Sequence, residues 1–315
     1  MISLSVVICT YNKADILFGA LKSLCDQTAS KDKYEVIVVY NASSDNTEEV
    51  SRGYHDYLHI VYTFEPREGL SYARNRAIDI AQAEYIEYID DDIRVSRDWV
   101  ATALSIVKEI NPDILGGPYF PIYDCKKPKW FLDKYATMTW GPYARYLYSD
   151  EYPHGGNIII KKKLLKNLGG FNQLFGMKPG RLEYGEETEF VKRARNLIPS
   201  IKIYYSPNLT TYHLIRKEKM ALLWLIRSDL RSIKTSIYLA EPSRLNKITY
   251  FNLISNIFYQ AAAILEKIIF GIPFRNRQKY PYWQSYFMER IRNNFGHLFD
   301  SLSSISLKLK KSAKE

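Results

Sequence analysis

Cysteine is scarce in this chain: Cys9, Cys25 and Cys125 stand at irregular spacing among 315 residues. An odd, sparse set argues against a disulfide framework and suits a reducing compartment. Cys9 lies in an apolar strand pattern and reads as inert packing. Glycine-rich nucleotide loops are missing too. No G-x-G-x-x-G follows the first strand, which sets aside a nicotinamide-dependent oxidoreductase. No G-x-x-x-x-G-K-[ST] occurs, which sets aside a P-loop nucleotidase. No apolar run is long and clean enough to span a bilayer. Met1-Ile2-Ser3-Leu4-Ser5 has no basic leader and runs straight into a strand. The expected location is therefore the cytoplasm or, peripherally, the inner face of the plasma membrane. No internal repeat or low-complexity segment is present.

What is there is an ordinary globular composition, 46% hydrophobic and 25% charged, enough to bury a sizeable core. Basic residues outnumber acidic ones by 44 to 34, a formal charge of +10, which invites phosphate-rich partners. Nucleic acid would account for that charge but not for the ordered acids described below, so none is expected as a partner.

The first part of the chain alternates strand and helix patterns. Strands are expected at 3–9, 34–40, 60–64, 85–90 and from 113, with helices over 14–26, around Glu49, over 70–82 and from Ser96 to Val107. Asp45 followed by Glu48 reads as an acid-type capping box. Alternation of this length means parallel strands joined by crossover helices, covered on both faces. Residues 116–140, with Pro118, Pro121 and Pro128 and many aromatics, read as loops and short extended pieces. Short strands at 157–160, 201–205 and 210–214 and helices at 162–168 and 187–195 follow. From about Lys219 strands vanish, and helices are expected over 220–239, 246–270 and 283–299.

Asp90-Asp91-Asp92 closes the strand pattern Tyr85–Ile89, at the end where open α/β sheets place their ligands. Packed like charges need a metal ion, a basic partner or a proton; a solvated acidic turn is the plain alternative. Three further clusters accompany them. In Val6–Asn12 a buried strand ends in Thr10-Tyr11-Asn12, where backbone and short polar groups hold a nucleotide or merely cap a helix. In Glu68–Asn75, Arg74 offers a planar fork for a phosphate, or pairs with Asp90 or Asp91 for structure. The third block holds His154-Gly155-Gly156-Asn157, Gly169-Gly170-Phe171 and Gly185-Glu186-Glu187. Its two glutamates open a helix, either as dipole compensation or as a proton acceptor for a substrate hydroxyl. His213 ends a strand and by itself reads as structural as readily as ligating.

Taken in this order, the clusters over about residues 2–214 resemble the family 2 glycosyltransferases of the GT-A fold, of the bacterial cell-surface polysaccharide type. The resemblance implies an α/β, Rossmann-like, mostly parallel sheet flanked by helices, with a C-terminal helical extension. The domains would be 1–215, with a nucleotide-sugar half to about 120 and an acceptor half over 121–215, and then 216–315. It implies an Asp-x-Asp motif at Asp90 and Asp92, with Asp91 between. Asp92 becomes the direct metal ligand, joined by Asp90 and His213, for Mg²⁺ or Mn²⁺. Thr10, Tyr11, Asn12, Asn41, Arg74, Asn75, Asp90 and Asp91 fall at the nucleotide and diphosphate, Gly156 and Asn157 at the sugar. Glu187 is the implied catalytic base, with Glu186 the alternative.

Two departures stand out. Tyr40 occupies the position of an acid that often bonds the pyrimidine ring, a loss worth about 1 kcal/mol that Tyr40 or Asn41 would make good. Glu187 replaces the usual aspartate and reaches one methylene further. The implied reaction is inverting transfer from a nucleotide-diphosphate sugar to a glycan or lipid-linked acceptor in cell-surface polysaccharide synthesis. The competing readings are a catalytically degenerate nucleotide-sugar-binding module and a sugar-phosphate nucleotidyltransferase, which would carry a glycine-rich basic loop where Asn12-Lys13-Ala14-Asp15 stands. The aromatic segment Pro128–Phe131 with Tyr135, Trp140 and Tyr143 suits an acceptor wall or a core. The basic C-terminal helices suit an anionic membrane surface, packing on the catalytic domain, or a homodimer.

Overall fold

The computed structural model describes residues 2–178, 184–239, 259, 262–290 and 292. They fall into two compact units: the described residues of Met1–Asp124 with Ala136–Ile215, and those of Cys125–Tyr135 with Arg216–Glu315.

The first unit opens with β1 (Leu4–Thr10), α1 (Ala14–Cys25), β2 (Tyr34–Asn41), α2 (Thr47–Arg52), β3 (Ile60–Glu65), α3 (Leu70–Ile80) and β4 (Tyr85–Asp90). It continues with β5 (Ile93–Val95), α4 (Trp99–Glu109), β6 (Ile114–Gly116), β7 (Tyr119–Tyr123) and β8 (Arg145–Tyr146). Then come β9 (Ile158–Lys161), α5 (Lys162–Asn167), α6 (Glu186–Leu197), β10 (Ile203–Tyr205) and β11 (Thr211–Ile215). Eight strands form one sheet in the order β3-β2-β1-β4-β9-β6-β10-β8. β1 runs parallel to both β2 and β4, whereas β9 runs antiparallel between β4 and β6.

The chain steps outward from β1 through β2 to β3 and then returns to the other side of β1 for β4. That reversal opens a crevice beyond the carboxyl ends of β1 and β4, the general ligand position of open α/β sheets. Leu4, Val6 and Ile8 pack with Leu17, Leu21 and Trp99 on one face. Val7, Ile37 and Val39 pack with Ala73, Ala77 and Phe190 on the other. Cover on both faces is why these strands are apolar almost without interruption.

A second sheet, β5-β11-β7, was not expected from the sequence. β5 has three residues, and β7 contains Pro121, which suits an edge strand because it has no N–H to donate. Two helix starts also differ from expectation. α2 begins at Thr47 with Asn46 before it and no side-chain cap. Asp45 instead accepts from the backbone of Ala14 at 3.1 Å and Thr47 at 3.2 Å, joining the starts of α1 and α2. Burial opposes its charge, yet bonds from Thr47 and Ala14 hold it below the usual carboxylate range. α4 begins at Trp99, past Ser96, whose carbonyl accepts from Gln27.

In the second unit, α7 (Leu222–Leu239) is joined by helical turns at 262–266 and 283–290. Ser285 donates to the Trp130 carbonyl at 2.8 Å, and Tyr135 to the Ser285 carbonyl at 3.3 Å. Trp130, Phe131 and Tyr135 stack on one another, and Phe131 is buried. These aromatics are this unit's own packing. Most of the expected helix 246–270, the end of 283–299 and the basic tail Lys308–Lys314 lie outside the described residues. No helix among the described residues is long and apolar enough to cross a membrane.

Candidate functional site

β4 delivers Asp90 to the crevice, and Asp91 and Asp92 form the turn into β5. Arg94 braces that turn. Its guanidinium donates to the carbonyls of Asp91 (3.2 Å), Ile93 (2.9 Å) and, across in α1, Ile16 (2.9 Å). Gly19 makes the contact possible, since a Cβ there would fall 2.2 Å from Arg94 Nε. Sequence reasoning missed Arg94; the signal available was a glycine inside an otherwise apolar helical pattern.

β11 brings in His213 from far along the chain. Ile93 pairs with His213, and Leu214 N–H donates to the Asp92 carbonyl at 2.8 Å. His213 Nε2 thereby lies 3.2 Å from Asp92 Oδ2. Two ligands at about 2.1 Å on adjacent octahedral corners stand about 3 Å apart, so this pair fits a small divalent cation. Among the described residues no three His, Cys, Asp or Glu side chains converge as a ready-made cage. A cation held by one or two protein groups and completed by substrate phosphates is the common Mg²⁺ arrangement.

Electrostatics point the same way. Burial, then Asp92, push Asp91 up to about 7, while the Thr10 hydroxyl, Asp90 and Lys13 act with smaller weight. Burial also raises Asp90, against the pull of Arg74. Asp90 is enclosed by protein mass yet 43% accessible, as befits a group on a crevice floor. Clustered acids pushed upward are groups that a cation would relieve.

Arg74, on α3, is the hub of the other half. Its buried guanidinium lies 2.9 Å from Glu186 Oε1, 3.9 Å from Glu187 Oε2 and 3.5 Å from Asp90 Oδ1. It also donates to the Gly155 carbonyl at 3.1 Å and is backed by the rings of Tyr88 and Phe171. The Glu186 contact is close but not aligned as a hydrogen bond. One cation faces three carboxylates, and the deepest takes the proton. Burial, then the neighbouring Glu187, push Glu186 up to about 8, and Arg74 only partly offsets them. The Glu186 side chain is 5% accessible and that of Glu187 17%. Gly185, at φ 102°, turns the chain into α6 just before them.

The H-G-G-N segment is glycine because this floor is tight. A Cβ on Gly155 would lie 2.9 Å from Arg74 Nη2 and 3.1 Å from Glu187 Cδ; one on Gly156 would lie 3.3 Å from Asp90 Oδ2. Tyr119, on β7, was also missed. Its ring meets those of His154 and His213 edge-on at 5.9 and 5.6 Å. Burial, with Asp90 and Glu187 nearby, raises its hydroxyl's titration, so it stays a neutral donor beside both groups of acids. Burial pushes His154 down to about 4, and its Nε2 is enclosed without a hydrogen bond.

The expected donor residues divide in two. Thr10, Tyr11, Asn12, Arg74, Asp90, Asp91 and Gly156 gather around the strand ends. Asn12, at φ 50°, accepts from Ser44 N–H at 2.8 Å and so stitches the loops after β1 and β2. Three asparagines are spent internally. Asn41 donates to the carbonyls of Glu65 and Arg67 and accepts from Gly69 N–H. Asn75 exchanges two bonds with the Phe171 backbone. Asn157, fully buried, is held by Trp99, Pro118 and Leu209. In each, the side-chain amide is engaged by groups of the protein itself. Two other surface hollows, about 490 and 340 Å³, contain none of Asp90–Asp92, Glu187 or His213.

The profile described as Glycosyl transferase family 2 matches residues 5–169. The chain is 26% identical over 193 residues to the glycosyltransferase AglE of Haloferax volcanii, a match covering 60% of this chain and 60% of that relative's own length. In fold it is similar to S. aureus TarS 1-349 in complex with UDP-GlcNAc, at TM-score 0.57 and 16% identity, covering 99% and 92% of the two chains. It is likewise similar to the mannosyltransferase PcManGT from Pyrobaculum calidifontis in complex with GDP-Man and Mn²⁺, at TM-score 0.58 and 19% identity, covering 93% and 86%. The architecture is the GT-A glycosyltransferase fold.

Proposed function

Since this chain belongs to glycosyl transferase family 2, we propose that it moves a sugar from a nucleotide-diphosphate donor to a hydroxyl of a glycan or lipid-linked acceptor, inverting the anomeric centre. The reading rests on one observation: a single buried arginine, Arg74, stands between an aspartate cluster at a strand end and the carboxylate Glu187. That spacing supports leaving-group chemistry at the aspartates and acceptor chemistry at Glu187.

The nucleotide lies over the loops after β1 and β2. Asn41 is occupied elsewhere, so Tyr40, stacked on Phe64 at 5.2 Å, is the residue left to meet the base where the family has an acid. Asp92 with His213, and Asp90 beside them, would hold Mg²⁺ or Mn²⁺, which when bound supplies charge neutralisation to the departing diphosphate. Glu187 takes the proton from the acceptor hydroxyl, whose oxygen attacks the anomeric carbon from the face opposite the diphosphate. Glu186 lies too deep to reach an acceptor and instead packs against the Arg74 guanidinium at 2.9 Å, leaving Glu187 as the base. Holding two substrates together supplies much of the acceleration.

The test is a comparison of Glu187→Gln with Glu186→Gln. Loss of the base should cut turnover by about 10²–10⁴ while donor affinity by calorimetry stays within about threefold. Near-wild-type turnover in Glu187→Gln, or a deeper loss in Glu186→Gln, would reject the assignment.

A further inference from the structure

The second unit carries an apolar row open to solvent. Leu265, Ile269, Phe270 and Phe274 are between 55% and 84% exposed, and Trp283 at 41% stands nearby in sequence. From Leu265 to Met288 the chain holds four cations, Lys267, Arg275, Arg277 and Lys279, and one acid, Glu266. Arg275 is spent on structure. It donates to the carbonyls of Ile272, Tyr280 and Pro281 and so closes the turn that presents Phe274. Arg277 and Lys279 remain exposed. Arg292, downstream, is likewise committed, pairing with Asp229 at 2.7 and 2.9 Å.

We propose that this face docks on an anionic bilayer: Phe270 and Phe274 enter the headgroup boundary, and Arg277 and Lys279 rest on lipid phosphates. Large apolar side chains, a tryptophan and an excess of cations over acids are the composition of a membrane-surface element. A second copy of the chain fits poorly. A two-fold contact would bring two sets of cations into one interface with few acids to pair them, and four side chains fall short of the roughly 800 Å² per partner that a stable interface buries. The inference stands apart from the transfer reaction, and its readout is not activity.

The experiment is flotation of the full chain with vesicles of phosphatidylcholine alone and with about a third phosphatidylglycerol. Binding should need the anionic lipid and be released by raised salt. Arg277→Gln with Lys279→Gln should weaken it about 30-fold. Phe270→Ser with Phe274→Ser should abolish it while circular dichroism is unchanged. Failure to float with anionic vesicles, or flotation indifferent to both double variants, overturns the proposal. So does a dimer in sedimentation that the phenylalanine pair disrupts, which would assign the face to a second copy.

Discussion

Glu87 is a carboxylate held where burial disfavours its charge. It sits in β4, fully buried between β1 and β9, and neither carboxyl oxygen has an aligned hydrogen-bond partner. Burial raises its titration well above the usual carboxylate range. The folded state therefore keeps a proton that the unfolded chain gives up near pH 4.3. Its contribution to stability is full below that pH and is lost as pH climbs toward the raised folded value. The loss runs at about 1.4 kcal/mol per pH unit inside that window. Glu87→Gln abolishes this dependence, so urea midpoints of variant and wild type should diverge in the variant's favour as pH rises above the ordinary carboxylate range. Parallel profiles would mean that Glu87 is ionised in the fold. A second residue, Cys9, is pushed up to about 12 by burial, in keeping with inert packing. Residue identity carried much of the site: Asp90–Asp92, Arg74 and Glu187 were visible as motifs. What the sequence hid was which polar side chains are already satisfied. An asparagine in a motif looks the same whether it faces a nucleotide sugar, as expected of Asn41, Asn75 and Asn157, or spends its amide on bonds within the protein.

At the scale of elements, the β1–α1–β2 and β3–α3–β4 alternation was legible because it rests on local periodicity, and the acids fell where β4 ends. The β5-β11-β7 sheet was not, because its pairing joins residues 92 to 120 positions apart and its strands are short. That sheet is nonetheless what sets His213 beside Asp92. The brace that holds the aspartate turn to α1 is Arg94, with Gly19 leaving room for it. Arg94→Met keeps the aliphatic stem and deletes the donors to three carbonyls. It should cost about 1–3 kcal/mol of stability and loosen the turn. Metal-dependent donor affinity should fall about tenfold with metal-free affinity unchanged, read by calorimetry with and without Mn²⁺. Equal effects under both conditions would show that Arg94 acts on the fold alone.

At the scale of the whole molecule, the proposed donor site lies at the reversal of strand order between β1 and β4. The Asp92–His213 pair lies on one flank, and the Arg74-centred carboxylates lie on the other. Charge supports that reading at long range, since a chain of +10 draws in a diphosphate while the crevice itself is acidic. An acidic crevice in a basic protein accepts an anion only in company with a cation. The direct measurement is UDP affinity by calorimetry, with and without Mn²⁺, on wild type and Asp92→Asn. Wild type should bind at least about tenfold more tightly with the metal, and Asp92→Asn should lose that gain. UDP binding that ignores both the metal and the substitution would contradict the account.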